Sequence, residues 1–395
     1  MSQRQATKEQ QQIIEATEGN IRVRAVPGSG KTFALTKRIV YLILELYVEP
    51  SSIVAMTFTN KAANEMKYRL KKMIGDFATC YAGTFHGYCN LILKEEIYRL
   101  SYPKTFVILD KKAQVDLIRE VADELGFSLK DFTAKEYADK ICEEKQDRAY
   151  IPLMLDTGRE ALQKKIGHTQ DPFYQVYYSY LKKQRDNYVL DFEDIIQFAI
   201  YILTQYKEAL KKWQSRCQYL LCDEYQDVNK NQEYLLYLLS GKYHNLTVVG
   251  DDDQSIYRFR GAKPAIMLGF EKDYPQAKRT LLGINYRSTS NIVDDAGNRI
   301  WHNKTRFDKE IRAAGGAGKP VVTAGFADAQ AETRKIVKEI QDYVQMGYPY
   351  SDIAVLYRTN LEPRLLMERL MEYNIPFQMR DALPNIYEHW ITQDL

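Results

Sequence analysis

The stretch AVPGSGKT, Ala25 to Thr32, constrains this chain more than any other. An alternation of apolar and basic residues, Ile21 to Val26, reads as a strand leading into it, and a helical pattern leads out to about Leu46. A glycine-rich turn between strand and helix, closed by Gly-Lys-Thr, wraps backbone N–H groups around phosphate oxygens. The helix N-terminus adds partial positive charge at the same point. Lys31 is placed to reach the β- and γ-phosphates of a nucleotide and Thr32 to ligate Mg²⁺, with Ala25, Pro27, Gly28, Ser29 and Gly30 forming the turn. The first position is Ala25 where the strict pattern has glycine.

The remainder fits an α/β fold. Strands are expected at Ile53–Phe58, Tyr219–Cys222 and Leu246–Gly250, and a basic helix at Asn60–Met73. Strands alternating with helices favour a parallel sheet. From Asp110 to about Asn187 the strand signal vanishes, and helices are expected at Lys111–Leu125, Ala134–Glu144 and Phe173–Lys183. That stretch reads as a helical insertion, with the first core resuming at Asp191. A second α/β unit begins near Leu281. Its expected elements are helices at Thr289–Trp301, Gln330–Met346 and Glu362–Tyr373 and strands at Pro320–Ala324 and Ile353–Tyr357. AAGGAGKP, Ala313 to Pro320, lacks a preceding strand and a GK[ST] ending, so it reads as a connector. The organisation is therefore 1–109 first core, 110–190 insertion, 191–280 first core again and 281–395 part of a second core.

Composition narrows the partners. Lys plus Arg is 55 against 52 Asp plus Glu, so any basic footprint must be local. The 5 cysteines include no C-x-x-C pair, which excludes a zinc ribbon or disulfide scaffold and fits reduced thiols in the cytoplasm. The longest apolar run, Tyr41 to Val48, is interrupted by Glu45 and falls far short of the ~20 residues of a membrane span. The polar start MSQRQATKEQ is no secretory signal.

Two apolar strands end in carboxylates. In YLLCDEYQD, Tyr219 to Asp227, the pair Asp223 and Glu224 falls at the carboxyl edge of a parallel sheet, where ligands bind in such folds. Asp223 suits a water-bridged Mg²⁺ and Glu224 a general base for the attacking water. In VVGDDDQSIYRFRGA, Val248 to Ala262, Gln254 is placed to touch both γ-phosphate and water. Tyr257, Arg258, Phe259 and Arg260 follow, and alternating rings and guanidiniums suit single-stranded nucleic acid, rings on bases and arginines on phosphates. TFTNKAANEM (Thr57 to Met66) and GTFHGY (Gly83 to Tyr88) repeat that mixture. Taken alone, His86 fits a structural histidine better than a ligand.

Taken in order, AVPGSGKT, TFTNKAANEM, GTFHGY, LDFEDII, CDEYQD, GDDDQSIYRFRGA and NYRSTSNI resemble the UvrD/Rep-like superfamily 1 DNA helicases over essentially the whole chain. The resemblance implies RecA-like cores that bind ATP between them and single-stranded DNA across their tops, moving 3′ to 5′ and acting at ss/ds junctions, with DNA-repair proteins as partners. It implies that Gln10, beside Gln11 and Gln12, reads adenine. It implies that Tyr286 stacks the base and Arg287 clamps the γ-phosphate. It assigns DNA contacts to Phe58, Asn60, Lys61, Thr84, His86, Tyr257, Phe259, Arg260 and Arg358, though Arg358 also suits a charge ending a strand. Phe33 stands where relatives often carry arginine and can still stack on adenine. The chain stops at Leu395, and the C-terminal helicase motifs are expected to be missing, as in a fragment. A nucleotide- and DNA-binding module without unwinding, and part of a helicase–nuclease subunit, stay open.

Overall fold

The computed structural model describes residues 5–379 apart from 128, 130, 157, 159, 258–260 and 304–305. It divides into two compact units, Met1–Lys319 and Pro320–Leu395. The first opens with α1 (Lys8–Ile14), β1 (Ile21–Ala25), α2 (Lys31–Leu44), β2 (Ile53–Thr57), α3 (Asn60–Ile74), β3 (Tyr81–Thr84) and α4 (Phe85–Glu96). Two short strands, β4 (Val107–Ile108) and β5 (Val189–Leu190), then pair in parallel as the neck of the helical insertion. Between them run α5 (Lys111–Glu124), α6 (Asp131–Glu144), α7 (Tyr150–Leu155), α8 (Glu160–His168) and α9 (Pro172–Asp186). The core resumes with α10 (Phe192–Gln205), α11 (Lys207–Ser215), β6 (Tyr219–Cys222), α12 (Lys230–Ser240), β7 (Leu246–Gly250) and α13 (Pro264–Asp273). The unit closes with β8 (Lys278–Leu282), β9 (Ile284–Asn285), α14 (Ser290–Ile300) and β10 (Arg312–Ala313).

The six-stranded sheet runs β3-β2-β6-β7-β1-β8, and every pairing is parallel. Strand side chains alternate between faces. Val23, Ala55 and Leu221 therefore pack against Leu35, Ile39 and Leu70 of α2 and α3, while Val54, Met56, Leu220 and Val248 face α4, α10 and α12. On that second face β1 offers Arg22 and Arg24 instead of apolar residues. The Phe307 ring covers both, with guanidinium carbons 4.5 and 5.0 Å from its centroid, and Glu271 pairs with Arg22.

The expected boundary at residue 281 lies inside β8, which pairs along β1 from Ile21–Lys278 to Ala25–Leu282. The segment through Lys319 belongs to the first compact unit, where β9 and β10 form a two-stranded sheet of their own.

Insertion and core are joined by a buried ionic knot. The Lys145 ammonium, just after α6, donates to Asp191 Oδ2 (2.6 Å), Asp194 Oδ1 (2.8 Å) and Gln184 Oε1 (2.8 Å). Tyr150 and Tyr180 hydroxyls donate to the same two carboxylates. Asp191 also caps α10, with Asp194 completing the capping box. Within LDFEDII the two aspartates thus end one chain segment, start a helix and hold a lysine from the insertion.

The second unit contains α15 (Ala329–Gln345) and α16 (Arg364–Glu372), packed through Val337, Ile340, Leu366, Leu370 and Ile375. The strands expected at 320–324 and 353–357 do not form. A strand needs a neighbour for its N–H and C=O groups, and no described residue of this unit supplies one. Val322 and Leu356 accordingly stand 81% and 94% exposed.

Candidate nucleotide site and nucleic-acid face

Because the sheet is parallel, the carboxyl ends of its strands fall on one edge. β1, β6, β7 and β8 deliver nucleotide-type residues to that edge, and β2 and β3 deliver aromatic and hydroxyl residues beside them.

After β1 the chain turns through Gly28 at φ +67° and Gly30 at φ +85°, left-handed conformations that glycine adopts without strain. A Cβ on Gly28 would also lie 2.7 Å from Arg287 Cβ and 2.8 Å from Asn285 Oδ1. Gly30 caps α2 without any side-chain hydrogen bond, and the earliest backbone bond there is Ala34 N–H to Gly30 O, 2.9 Å. The N–H groups that open α2 thus lack intrahelical acceptors and suit an anion. A nucleotide phosphate fits this cradle.

Lys31 Nζ reaches Glu224 Oε2 at 2.7 Å, and Thr32 Oγ1 donates to Asp223 Oδ2 at 3.0 Å. These bonds join the phosphate turn to the acidic end of β6. Burial, and then Glu224, push the Asp223 carboxyl up to about 6. Burial also works to raise Glu224, but the Lys31 ammonium, Gln226 and Arg287 hold it below the usual carboxylate range. Glu224 occupies a left-handed backbone position, φ +52°, uncommon for a residue with a side chain. Hydroxyl and carboxylate oxygens at 3.0 Å form the hard donor set that Mg²⁺ takes.

Gln254 reaches this centre indirectly, its Nε2 donating to Asp251 Oδ2 at 2.8 Å. Asp251 N–H donates to Gln226 Oε1 (2.9 Å), and Gln226 Nε2 donates to Glu224 Oε2 (2.9 Å). Gln226 is therefore a linking residue that the sequence reading missed; its only signal was its place in CDEYQD. Tyr286 N–H donates to Gly28 O at 3.0 Å, which sets the NYRS segment against the phosphate turn. Asn285 Oδ1 accepts from the Arg287 and Ser288 N–H groups (2.8 and 2.9 Å), fixing that turn.

Gln10 is 1% exposed, donates from Nε2 to Ser29 O (2.9 Å) and accepts at Oε1 from Thr7 N–H (3.1 Å). Both ends of its amide are thus engaged by the chain itself, in a helix cap and in the phosphate turn. Phe33 is half-buried in the first turn of α2.

On the other half of the edge, Phe58 and Tyr257 pack with ring centroids 4.7 Å apart. Asn60 and Lys61 open α3 and are exposed. Thr84 caps α4 by accepting from Gly87 N–H at 3.2 Å. His86 packs on Phe192, centroids 4.2 Å apart, and burial lowers its imidazole to about 4. A hollow of about 410 Å³ between α3 and β3 is lined by Asn60, Asn64, Lys67, Tyr81 and Thr84. Arg258, Phe259 and Arg260 lie outside the described residues. Arg358 belongs to the second unit, where its N–H donates to Glu362 and its side chain is exposed.

The model of the UvrD/REP helicase N-terminal domain matches residues 6–275. The chain belongs to the UvrD/REP helicase family. The model of the UvrD-like helicase C-terminal domain matches residues 280–384. That match runs against the expectation that the C-terminal helicase motifs are missing from this chain. The ATP-dependent DNA helicase PcrA of Staphylococcus epidermidis is 38% identical over 372 residues, covering 94% of this chain and 50% of the relative. The PcrA helicase of Staphylococcus aureus is 37% identical with the same coverage. The chain spans about half the length of the curated relatives it matches. Among the described residues no helix is long and apolar enough to cross a membrane.

Proposed function

We propose that this UvrD/REP chain is the motor of an ATP-dependent DNA helicase, coupling hydrolysis to 3′–5′ movement on single-stranded DNA and at ss/ds junctions. The observation that carries the reading is the double clasp of Lys31 on Glu224 and Thr32 on Asp223. Cytoplasmic location and DNA-repair partners belong to the same proposal.

ATP with Mg²⁺ supplies the scissile γ-phosphoryl group and neutralises its charge. The chain does the positioning. Thr32 and Asp223 would hold the cation, and the N–H groups opening α2 would hold phosphate oxygens. Lys31 moves from Glu224 onto the phosphates, which frees Glu224 to accept a proton from the attacking water. With Lys31 withdrawn, Gln226 still donates to Glu224 and favours the ionised form that a general base needs. Gln254 orients the water, and Arg287, on a turn bonded to the phosphate loop, meets the charge that develops on the γ-phosphate. Phe58 and Tyr257 offer ring faces for base stacking, worth about 1–3 kcal/mol per base.

The test is steady-state ATP hydrolysis with and without single-stranded DNA, beside Lys31→Ala, together with a strand-separation assay. DNA-stimulated turnover that disappears in Lys31→Ala supports the reading. Lys31-dependent nucleotide binding with no strand separation would leave a binding module instead.

A further inference from the structure

Behind Gln254 lies a cluster that the catalytic reading does not use. Asp251, Asp252 and Asp253 bring carboxylate oxygens within 4.8 Å of one another. The space they would offer a cation is filled by the chain itself. Lys309, whose side chain is fully buried, places its ammonium on all three, at 2.7 Å from Asp252, 3.0 Å from Asp253 and in close contact with Asp251. Arg306 adds a pair to Asp253 at 2.9 Å, and Phe307 N–H donates to Asp252 at 2.8 Å. The Phe307 ring lies on Arg22 and Arg24 of β1. Residues 306–309 therefore form a strap fastened to the Gln254 loop at one side and to the strand before the phosphate turn at the other.

The strap has two continuations. Along the chain it leads to β10, which pairs with β9, the two residues before Tyr286 and Arg287. Through hydrogen bonds it leads from Lys309 to Asp251, whose second oxygen holds Gln254 and whose N–H bonds Gln226, which in turn bonds Glu224. Burial works against the ammonium, but Asp251 and Asp252 hold Lys309 above its ordinary value, so it stays charged.

We infer that Lys309 is a positioning residue: its ammonium fixes Asp251 and so aims Gln254 and Glu224, while tying that loop to the segment that presents Tyr286 and Arg287. The inference rests on the hydrolysis reading for its consequence in turnover. A small misplacement of such groups is costly: a shift of about 1 Å can lower turnover by about 100-fold.

The test compares Lys309→Met and the milder Arg306→Met with the unchanged chain. Two readouts are taken: DNA-stimulated turnover, separated into kcat and KM for ATP, and site-resolved amide hydrogen exchange with and without a non-hydrolysable ATP analogue. The expected result is a loss of about 10- to 100-fold in kcat for Lys309→Met with KM within about threefold, and a smaller loss for Arg306→Met. Exchange should rise at 251–257 and 284–287 while β2 and β3 stay protected, and the analogue should protect 284–287 in the unchanged chain but not in Lys309→Met. Unchanged kcat in both variants overturns the inference, and so does exchange that rises uniformly across the sheet, the mark of a plain structural strut. If the unchanged chain shows no Lys31-dependent turnover, the hydrolysis reading fails by itself. The analogue's protection of 284–287, kept or lost in Lys309→Met, then decides the strap's role separately.

Discussion

Replacing Lys145 by methionine removes the cation at the centre of the knot between insertion and core. The substitution preserves most of the stem's volume, so little cavity forms. What remains is Asp191 and Asp194, each 1% exposed or less, facing each other without the ammonium that bridged them at 2.6 and 2.8 Å. Breaking a buried pair by removing one partner costs about 3–5 kcal/mol, because the other charge stays buried. At roughly 2–4 °C per kcal/mol for a domain of 150–250 residues, Tm should fall by about 6–20 °C, toward the lower end for a longer unit. The deficit should also depend on pH. With Lys145 present, burial and Asp191 already push Asp194 up to about 6. Without it, Asp191 loses the ammonium that holds it below its ordinary value, and Asp194 rises further above its own. A carboxyl raised in the folded state binds its proton more readily there, so the loss develops as pH climbs above the unfolded value and through the folded one. Thermal unfolding by circular dichroism at pH 5 and pH 8 should show the larger deficit at pH 8. Adding Asp194→Asn should recover part of it, a coupling that a double-mutant cycle reads directly. A Lys145→Met chain within about 1 kcal/mol of the original at pH 8, or a deficit equal at both pH values, would overturn this account of the knot.

Glu224→Gln should cut turnover by about 10²–10⁴-fold while a fluorescent ATP analogue still binds; an equal loss of binding would remove its role as base. Gly28→Ala forces a side chain into φ +67° and against Arg287 Cβ, so nucleotide affinity by titration calorimetry should drop about tenfold or more. Phe58→Ala or Tyr257→Ala should each weaken single-stranded DNA binding by about 1–3 kcal/mol without altering its salt slope, whereas Lys61→Ala should lower the slope. His86 has a folded value near 4 against an ordinary 6.5, so it withdraws stability as pH falls through that window; His86→Phe should melt with less acid sensitivity between pH 6.5 and 4.

The sequence made visible those parts whose chemistry is local. Strand, glycine turn and helix around Lys31 follow from adjacent residues, and so do the carboxylates ending β6. The missed parts are long-range. Lys309 sits between Asp308 and Glu310 and reads as a surface charge; only the fold carries it to Asp251, 58 positions away. Gln10 was legible as a polar residue near the site, but its buried bonds to Ser29 and Thr7 depend on how α1 docks. The apolar runs at 320–324 and 353–357 have strand composition, yet composition supplies no neighbour for the backbone. α7 and α8 escaped notice because they are short and their apolar faces are completed by α9 and each other.

The position of β1 in the sheet has a consequence for the nascent chain. Its two neighbours are β7 and β8, so Ile21 meets Thr247 on one side and Lys278 on the other. At synthesis rates of about 5–20 residues per second, the strand waits roughly 11–45 s for its first partner to be made. β2 finds β3, and the helices of the insertion find one another, within much shorter spans and can assemble meanwhile. The ribosome therefore releases a strand with one apolar face and both edges open, and the phosphate turn is shaped among the last features of its unit. A chaperone that shelters residues 21–25 until β7 and β8 emerge would govern the yield of active protein more than the stability of the finished fold does.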